Sequence, residues 1–437
     1  MDRRQFVGTG IIVACGIAAR AQGNSARGKG AMPRDFLWGA ATAGHQVEGN
    51  NVNSDIWLLE NIKPTRFPTR SGDACDSYHR FEEDIRLLKA FGLDTYRFSI
   101  EWSRIEPSPG QFSQAELDFY KSKIDICHRY GVKPAVTFNH YACPLWFSAQ
   151  GGWTADDSSD LFSRYCDIAA RQLGDGMHVA FTLNEPQVKR LQHWIKALAT
   201  PERVLRNQQA LEAARRASGS EKFVSFHLAD DAVVLPKLID AHKVGYQAIK
   251  AAHPSLPVGV TLAIVDYQAV GPDSRMTEIR SDIDGAWMEA AKTGDFVGVQ
   301  NYGRMLIDSE GEVQPAKGAE RNGLGQEYYP AGLGNAVRTV HAATGKPILV
   351  SENGICTNDD TQRVRFIDEA VAGLHSTMVE GVPVLGYIHW SLLDNYEWSL
   401  GYGPKFGLVA VDRKTFVRAP KPSAEHLGKL ASGLRAV

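Results

Sequence analysis

The feature that most limits the fold of this chain is a repeat of short apolar segments separated by segments with helical periodicity. Segments of β-strand character lie at residues 35–42, 93–100, 132–138, 179–183, 258–265, 296–300, 347–351 and 384–389. In the helical segment 75–91, for example, apolar side chains recur every three or four positions. Strands that alternate with helices indicate an all-parallel sheet. Eight such strands predict one α/β domain over residues 35–437, a (β/α)8 TIM barrel with its active site at the C-terminal ends of the strands.

An open, doubly wound sheet is the alternative fold for such a pattern. Its first βα turn commonly carries a GxGxxG sequence that binds a dinucleotide phosphate. The corresponding turn here contains Gly44 and Gly49, which do not have that spacing. The barrel is therefore the favoured fold, and the sequence indicates no cofactor.

Two glutamates stand at the ends of the fourth and seventh strands. Glu185 precedes Pro186, which has no backbone N–H and ends the strand, and Glu352 follows the apolar run 347–351. These strands lie three apart in an eight-stranded barrel, so the two side chains would face each other across its mouth. Glycosidic bond hydrolysis needs such a pair, with one carboxyl group protonated and the other ionised. Taken singly, each glutamate is equally well explained as a surface residue that caps a helix.

Polar and aromatic side chains end most of the other strands. They are Gln46, Arg97, His140, Asn184, Tyr302, Trp390 and Trp398. Amide, imidazole and carboxylate groups match sugar hydroxyls, and a Trp face can stack on the C–H side of a pyranose. Each residue alone is typical of ordinary structural roles. Their convergence on one face of a barrel favours a sugar-binding site.

Several longer motifs carry a resemblance to a known family. They are FLWGAAT…HQVEG at 36–49, CDSYHRFEEDI at 75–85, YRFSIEWSRIEP at 96–107, TLNEP at 182–186, DFVGVQNY at 295–302, SENG at 351–354 and HWSLLDNYEW at 389–398. Together they resemble glycoside hydrolase family 1, the β-glucosidase family, from Asp35 to about Leu430. The resemblance implies an exo-acting retaining β-glycosidase that works by double displacement through a covalent glycosyl-enzyme.

The resemblance also implies a role for each residue at the strand ends. Glu352 would be the nucleophile and Glu185 the acid/base, and Arg97 and Tyr302 would hold the nucleophile, with Arg97 keeping Glu352 ionised. Family positions for substrate contacts carry over to Gln46, His140, Asn184, Tyr302, Trp390, Glu397 and Trp398. Asn184 would meet the 2-hydroxyl, and Trp390 would be the stacking floor.

Two positions bear on the class of sugar. The carboxylate of Glu397 suits the 4- and 6-hydroxyls of a sugar and would repel a 6-phosphate. Members of the family that act on phosphorylated sugars have Ser there, and Tyr at the position of Phe406 in this chain. The expected substrates are therefore unphosphorylated β-glucosides or related β-glycosides.

The chain also departs from the family pattern. Where the family usually reads His-Trp-Asp-Leu-Pro, this chain has HYACP at 140–144; His45 replaces a usual Tyr, and the loop after the sixth strand is short. These changes predict a glycone pocket of ordinary chemistry with a different, more open aglycone side. A β-galactosidase, a β-fucosidase or a transglycosidase on the same residues is an alternative. A catalytically silent carbohydrate-binding protein is a second alternative, which the presence of both glutamates disfavours.

The first residues have the pattern of an export signal. Arg3 and Arg4 precede an apolar run, and small residues end residues 1–21 where a signal peptidase would cut. This pattern resembles a bacterial twin-arginine signal and predicts a periplasmic or extracellular protein, with residues 22–34 as a linker. A lipid anchor on Cys15 is the weaker alternative, because the apolar run before it is very short.

Composition limits the classes of partner. The 437-residue chain has a net charge of −2 and no basic run, which disfavours nucleic acid and anionic membranes. No stretch of about 18 apolar residues occurs, so no membrane span is predicted. Its six cysteines form no CxxC pair, and no metal site is indicated. The expected partner is a small β-glycoside, and the oligomeric state stays open.

Overall fold

Eight parallel strands close a barrel in the computed structural model, which describes residues 32–434. The (β/α)8 fold expected from the sequence is thereby confirmed. The predicted signal at 1–21, its Cys15 alternative and most of the linker at 22–34 lie outside the described residues, so these stay predictions. No helix within residues 32–434 combines the length and the apolar character needed to cross a bilayer.

Strands and helices alternate along the described chain. The strands are β1 (Leu37–Ala41), β2 (Thr95–Ser99), β3 (Lys133–Asn139), β4 (Val179–Asn184), β5 (Val258–Ala263), β6 (Asp266–Ala269), β7 (Phe296–Asn301), β8 (Arg304–Asp308), β9 (Gly311–Val313), β10 (Ile348–Asn353), β11 (Val384–Trp390), β12 (Val409–Val411) and β13 (Arg418–Pro420). The helices are α1 (Gly44–Val47), α2 (Asp55–Asn61), α3 (Ser77–Ala90), α4 (Trp102–Ile105), α5 (Gln114–Arg129), α6 (Leu145–Ala149), α7 (Ser158–Leu173), α8 (Val188–Trp194), α9 (Pro201–Ser218), α10 (Asp231–Ala252), α11 (Met276–Ala291), α12 (Gly332–Thr344), α13 (Asp360–Val379) and α14 (Pro422–Leu434).

The order of the strands around the barrel places the two glutamates. The ring runs β1-β11-β10-β7-β5-β4-β3-β2, and β1 closes it by pairing in parallel with both β11 and β2. Two strands, β7 and β5, separate β10 from β4. The C-terminal ends of β4 and β10 therefore lie on one rim of the barrel, three strands apart.

The core has an inner and an outer layer. Side chains from several strands, including Leu37, Val179, Phe181, Phe296 and Leu349, form a cluster inside the barrel. The helices pack their apolar faces on the outside of the strands in a larger cluster. Each large apolar side chain removed from water contributes about 1.5–3 kcal/mol to stability. The barrel is thus a packed scaffold, and the polar groups of the mouth are held on rigid strand ends.

The structure differs from the sequence-based expectations in three segments. Residues 50–73, a polar segment for which the sequence predicted no helix, contain α2, whose first turn is capped because the Ser54 hydroxyl accepts from the Trp57 N–H at 3.1 Å. Residues 303–329, for which the sequence predicted no strand, begin with β8 and β9, which form a small sheet with β6 outside the barrel. The seventh barrel strand runs through Glu352 to Asn353 instead of ending before them.

The ends of the described chain pack against each other. Met32 is fully buried, and its backbone N–H donates to the Leu434 carbonyl at 2.7 Å. The cysteines in this part of the chain are all free and buried: Cys75, Cys127, Cys143, Cys166 and Cys356. Stability in residues 32–434 therefore depends on packing and hydrogen bonds without disulfides.

Candidate active site

A pocket of about 300 Å³ opens at the rim where the barrel strands end. Its lining includes most of the residues that the sequence singled out, namely His140, Asn184, Glu185, Tyr302, Glu352, Trp390, Glu397, Trp398 and Phe406. Two other predicted residues, Gln46 and Arg97, are fully buried and lie behind the lining. The strand ends thus bring the sequence-derived set together at one site.

Glu352 is held at the wall of the pocket by two donors. It is almost fully buried in β10, the Tyr302 hydroxyl donates to its Oε2 at 2.6 Å, and Arg97 Nη1 donates to its Oε1. Burial raises the pKa of Glu352, and the Arg97 guanidinium and the Tyr302 hydrogen bond oppose this rise. Arg97 thus favours the ionised form of Glu352, as expected from the sequence, although burial has the larger effect on its pKa.

Glu185 has different surroundings on the opposite side. It lies just past β4 with φ at 43°, a left-handed conformation that costs about 1–3 kcal/mol for a residue with a side chain. Its N–H donates to the Thr261 carbonyl at 2.9 Å, and the Tyr141 hydroxyl donates to its Oε2. Burial and the negative charge of Glu352 raise the pKa of Glu185 to about 8. Glu352 has two donors, one of them cationic, so Glu352 ionises first and Glu185 keeps its proton.

Asn184 links Arg97, which binds Glu352, to His140. Its Oδ1 accepts from Arg97 Nη2 at 2.6 Å and from Gln300 Nε2 at 2.9 Å, which leaves its amide nitrogen facing His140 Nε2 at 3.2 Å. Burial and the charge of Arg97 lower the pKa of His140 well below its ordinary value, so the imidazole is neutral. Its Nδ1 is buried and has no hydrogen-bond partner among the described residues.

Aromatic rings form another wall of the pocket. The His140 ring lies nearly parallel to Trp390, with centroids 5.8 Å apart, and to Trp398 at 6.0 Å. On its other side Trp398 stacks on His45 at 5.6 Å and 7°. Phe406 packs edge-on against Tyr302.

Glu397 completes the pocket next to Trp390. Its carboxyl group accepts from Trp390 Nε1 and from Gln46 Nε2, both at 3.4 Å, and Gln46 also donates to the Tyr396 carbonyl at 2.7 Å. Burial, with a smaller contribution from the charge of Glu352, raises the pKa of Glu397 to about 8. The buried carboxyl group of Glu397 therefore binds a proton more tightly than the carboxylate expected from the sequence would. An acid and a carboxylate can both hydrogen-bond sugar hydroxyls.

Comparison with known proteins agrees with this geometry. The family profile described as Glycosyl hydrolase family 1 matches residues 28–264 and 282–433. The chain belongs to glycosyl hydrolase family 1. It is 31% identical to beta-glucosidase A of Acetivibrio thermocellus over 453 residues, covering 90% of this chain and 96% of the relative. It is 32% identical to the beta-glucosidase of an Agrobacterium species over 445 residues, covering 92% and 95%.

Solved structures of similar fold are also β-glucosidases or β-glycosidases. The apo structure of a beta-glucosidase superimposes with a TM-score of 0.89 at 43% identity, covering 92% of this chain and 99% of that chain. A beta-glycosidase structure superimposes with a TM-score of 0.88, also at 43% identity. The family suggested by the sequence motifs is confirmed. This family 1 member is a β-glycosidase, an O-glycosyl hydrolase of the β-glucosidase type.

The family 1 pocket also contains residues that the sequence did not single out. They include Arg66, Tyr141, Gln192, Arg203 and His227. Of these, only Tyr141 could have been noticed in the sequence, because it directly follows His140 at a position where the family motif has a different residue. The others lie in the connection after β1 and in the long connection after β4. They do not directly follow a barrel strand, so their positions in the sequence did not indicate a role in the pocket. No group of three or more potential metal-ligating side chains occurs within residues 32–434.

Proposed function

We propose that this protein is an exo-acting, retaining β-glycosidase that hydrolyses unphosphorylated β-glucosides. The observation that carries the proposal is the contrast between the two glutamates of one pocket. Glu352 is paired with a guanidinium and a phenol, whereas burial and its acidic neighbour raise the pKa of Glu185 to about 8. Two carboxyl groups with opposite protonation are what acid-assisted glycosidic cleavage requires.

In the first step the Glu352 carboxylate attacks the anomeric carbon. The bond between that carbon and the aglycone oxygen breaks, and Glu185 gives its proton to the departing oxygen. The products of this step are the free aglycone alcohol and a glycosyl ester on Glu352. The ester removes the negative charge of Glu352, which is one of the causes of the raised pKa of Glu185. Glu185 is thereby converted from an acid into a base.

In the second step water attacks the same carbon from the face that the aglycone left. Glu185 takes a proton from this water, and the ester bond to Glu352 breaks. Glu352 is restored as a carboxylate, stabilised again by Arg97 and Tyr302. Two displacements at one carbon retain the β configuration of the sugar.

The glycone side of the pocket supports an unphosphorylated sugar. Glu397 and the buried Gln46 stand beside Trp390, and none of these residues is a cation that would hold a phosphate. The half-buried side chain of Phe406 offers no hydroxyl at the position where phospho-specific members of the family have Tyr. The beta-glucosidase names of the relatives agree with glucose as the sugar.

A first prediction tests the nucleophile. Replacement of Glu352 by Ala should lower kcat on an aryl β-glucoside on the order of 10⁴-fold or more, because the covalent intermediate can no longer form. Added azide should restore turnover and give the α-glycosyl azide, since azide then attacks the face that Glu352 normally attacks. Glu289→Ala, on the exposed surface of α11, is the control and should retain the parental kcat. Parental activity of Glu352→Ala, or a β-glycosyl azide as product, would refute the assignment.

The glycone is tested with aryl β-glycosides that differ only in the sugar. A larger kcat/KM for the glucoside than for the galactoside and fucoside supports the proposal, and the reverse order supports the alternatives. Product analysis at high substrate concentration separates hydrolysis from transglycosylation. Sugar binding without cleavage would indicate a carbohydrate-binding protein.

A further inference from the structure

Two arginines line the same pocket as the catalytic glutamates. Arg66 lies in the loop after α2, and its Nη1 donates to the His227 carbonyl at 3.1 Å. Arg203 lies in α9, and its Nη2 donates to Gln192 Oε1 at 2.9 Å. Both side chains are half-buried. A guanidinium has five N–H donors, so these contacts orient each group and leave other donors for a ligand.

The charges of these arginines are not balanced locally. Among residues 32–434, neither Arg66 nor Arg203 forms an ion pair with a carboxylate, although most other half-buried arginines do. Burial and the charges of Arg203 and Arg206 lower the pKa of Arg66 to about 10. Arg66 therefore remains a cation at neutral pH in the company of other cations. An anion placed between Arg66 and Arg203 would relieve this repulsion.

The nearby Lys189 adds to the positive field. It stands one helical turn after Glu185, and its ammonium donates to the Ala229 carbonyl. Burial and the charge of Arg66 lower the pKa of Lys189 to about 8, although Asp231 opposes this change. The segment that directly follows the acid/base thus brings two cations, Lys189 and Arg203, to this side of the site.

The two arginines lie on the side of the pocket where the leaving group is expected. Glu185 protonates the aglycone oxygen, so the aglycone must leave on the Glu185 side. Val188, Gln192 and Arg203 follow Glu185 in the chain and line the pocket with it. On the glycone side the ionisable lining residues are Glu352 and Glu397, both carboxyl groups. The pocket therefore has acids around the sugar and cations toward the aglycone.

Apolar side chains accompany the cations. Phe67, next to Arg66, lines the pocket together with Val188, Leu324 and Leu400. Such surfaces favour a flat, apolar group, whereas two guanidinium forks favour a carboxylate, which they can bind through paired hydrogen bonds. An aromatic ring that carries a carboxylate matches both features.

We propose that this site selects β-glycosides whose aglycone is an aryl group carrying a carboxylate, held by Arg66 and Arg203. The inference rests on the proposed β-glycosidase function and specifies its substrate class. The carboxylate would lie between the two guanidinium groups, and the ring would lie on the surface formed by Phe67 and its apolar neighbours.

The test compares 4-carboxyphenyl β-glucoside with its neutral 4-carboxamide counterpart. The selectivity is the ratio of their kcat/KM values, measured at low salt in the parent enzyme and in Arg66→Gln and Arg203→Gln. The two leaving groups differ in intrinsic reactivity. This difference is the same in every variant, so it cancels when the parental ratio is divided by the variant ratio. Arg216→Gln, an exposed arginine on the same helix as Arg203, is the matched control.

Each pocket variant should lose about tenfold in this selectivity, as expected for removal of one charge-assisted hydrogen-bonding group. The control variant should keep the parental ratio. Added salt should lower the ratio in the parent, because ions screen a half-exposed charge pair. Unchanged ratios in both pocket variants would overturn the inference while the β-glycosidase function stands. Failure of the parent to cleave either glucoside would overturn the function and the inference together.

A second measurement does not depend on how well the variants fold. The parent is assayed on a neutral aryl glucoside in the presence of 4-hydroxybenzoate or 4-hydroxybenzamide, the two aglycones alone. The carboxylate should inhibit about tenfold more strongly. Equal inhibition by the two compounds would contradict an anionic aglycone site.

Discussion

At the scale of single residues, burial raises the pKa of both glutamates, and their different hydrogen-bonding and charged neighbours distinguish them. Glu185 and Glu352 are the same residue type, yet Arg97 and Tyr302 stabilise negative charge on one of them, whereas Tyr141 alone donates to the other. The Tyr141 hydroxyl lowers the pKa of Glu185, against the larger upward effects of burial and of Glu352. We therefore expect Tyr141 to position Glu185, the proposed acid/base, and to lower its pKa.

This role predicts a shift in the pH profile. The parental kcat/KM should decline above about pH 8, as Glu185 loses the proton it must donate. In Tyr141→Phe the hydrogen bond that stabilises the carboxylate is absent, so the pKa of Glu185 rises and the basic limb should move to higher pH by about one pH unit or less. The pH profile of kcat/KM on an aryl β-glucoside measures this shift. Tyr246→Phe, on the outer helix α10, should leave the limb in place, and movement of the Tyr141→Phe limb to lower pH would contradict the role.

At the scale of secondary-structure elements, the last helix, α14, packs against the C-terminal end of α3. In α14, a Cβ atom placed on Gly428 would lie 1.6 Å from the Phe91 carbonyl oxygen at the end of α3. Near the end of the same helix, a Cβ on Gly433 would meet no atom within 4 Å. The close approach of α14 and α3 therefore requires glycine at one position and not at the other.

The two glycines make a matched pair for a stability measurement. Gly428→Ala should lower the free energy of unfolding by about 1–3 kcal/mol, because the methyl group forces the helices apart. Gly433→Ala should leave stability unchanged or raise it by up to about 1 kcal/mol, since alanine is the better helix former. Denaturant unfolding of both variants measures the difference. If the two variants had the same denaturant midpoint of unfolding, the contact between α14 and Phe91 would not require glycine at position 428.

At the scale of the whole molecule, the proposed location of the enzyme depends on residues before the barrel. The paired arginines Arg3 and Arg4 support export by a twin-arginine route, which carries folded proteins. A barrel with free, buried cysteines suits that route, because its described part needs no oxidation after export.

Export can be tested without changing the charge of the signal. Replacement of Arg3 and Arg4 by Lys keeps two positive charges but removes the paired guanidinium groups, so a receptor that reads arginine should fail to export the protein. Activity in the periplasmic or culture fraction, relative to the whole cell, measures the effect. Arg27→Lys, in the predicted linker, is the control. Unaltered export of the double variant would contradict the twin-arginine proposal.

The sequence by itself determined the barrel, the family and the pair of glutamates. These features are local: strand runs, helical periodicity and residues such as Glu185 and Glu352 at strand ends can be read without knowledge of contacts. It did not reveal α2, because Ser54 and the following turn lie within a stretch rich in polar residues and proline.

Only the tertiary structure decided how the site is tuned. The hydrogen bond from Tyr141 to Glu185 depends on which loops meet, and the raised pKa of Glu397 depends on burial; neither can be read from a residue pattern. Arg66, in the loop after α2, and Arg203, in α9, line one pocket although they lie 137 positions apart in sequence (203 minus 66). Pocket electrostatics arises from which loops meet and how much water they exclude, and that is a property of the folded chain as a whole.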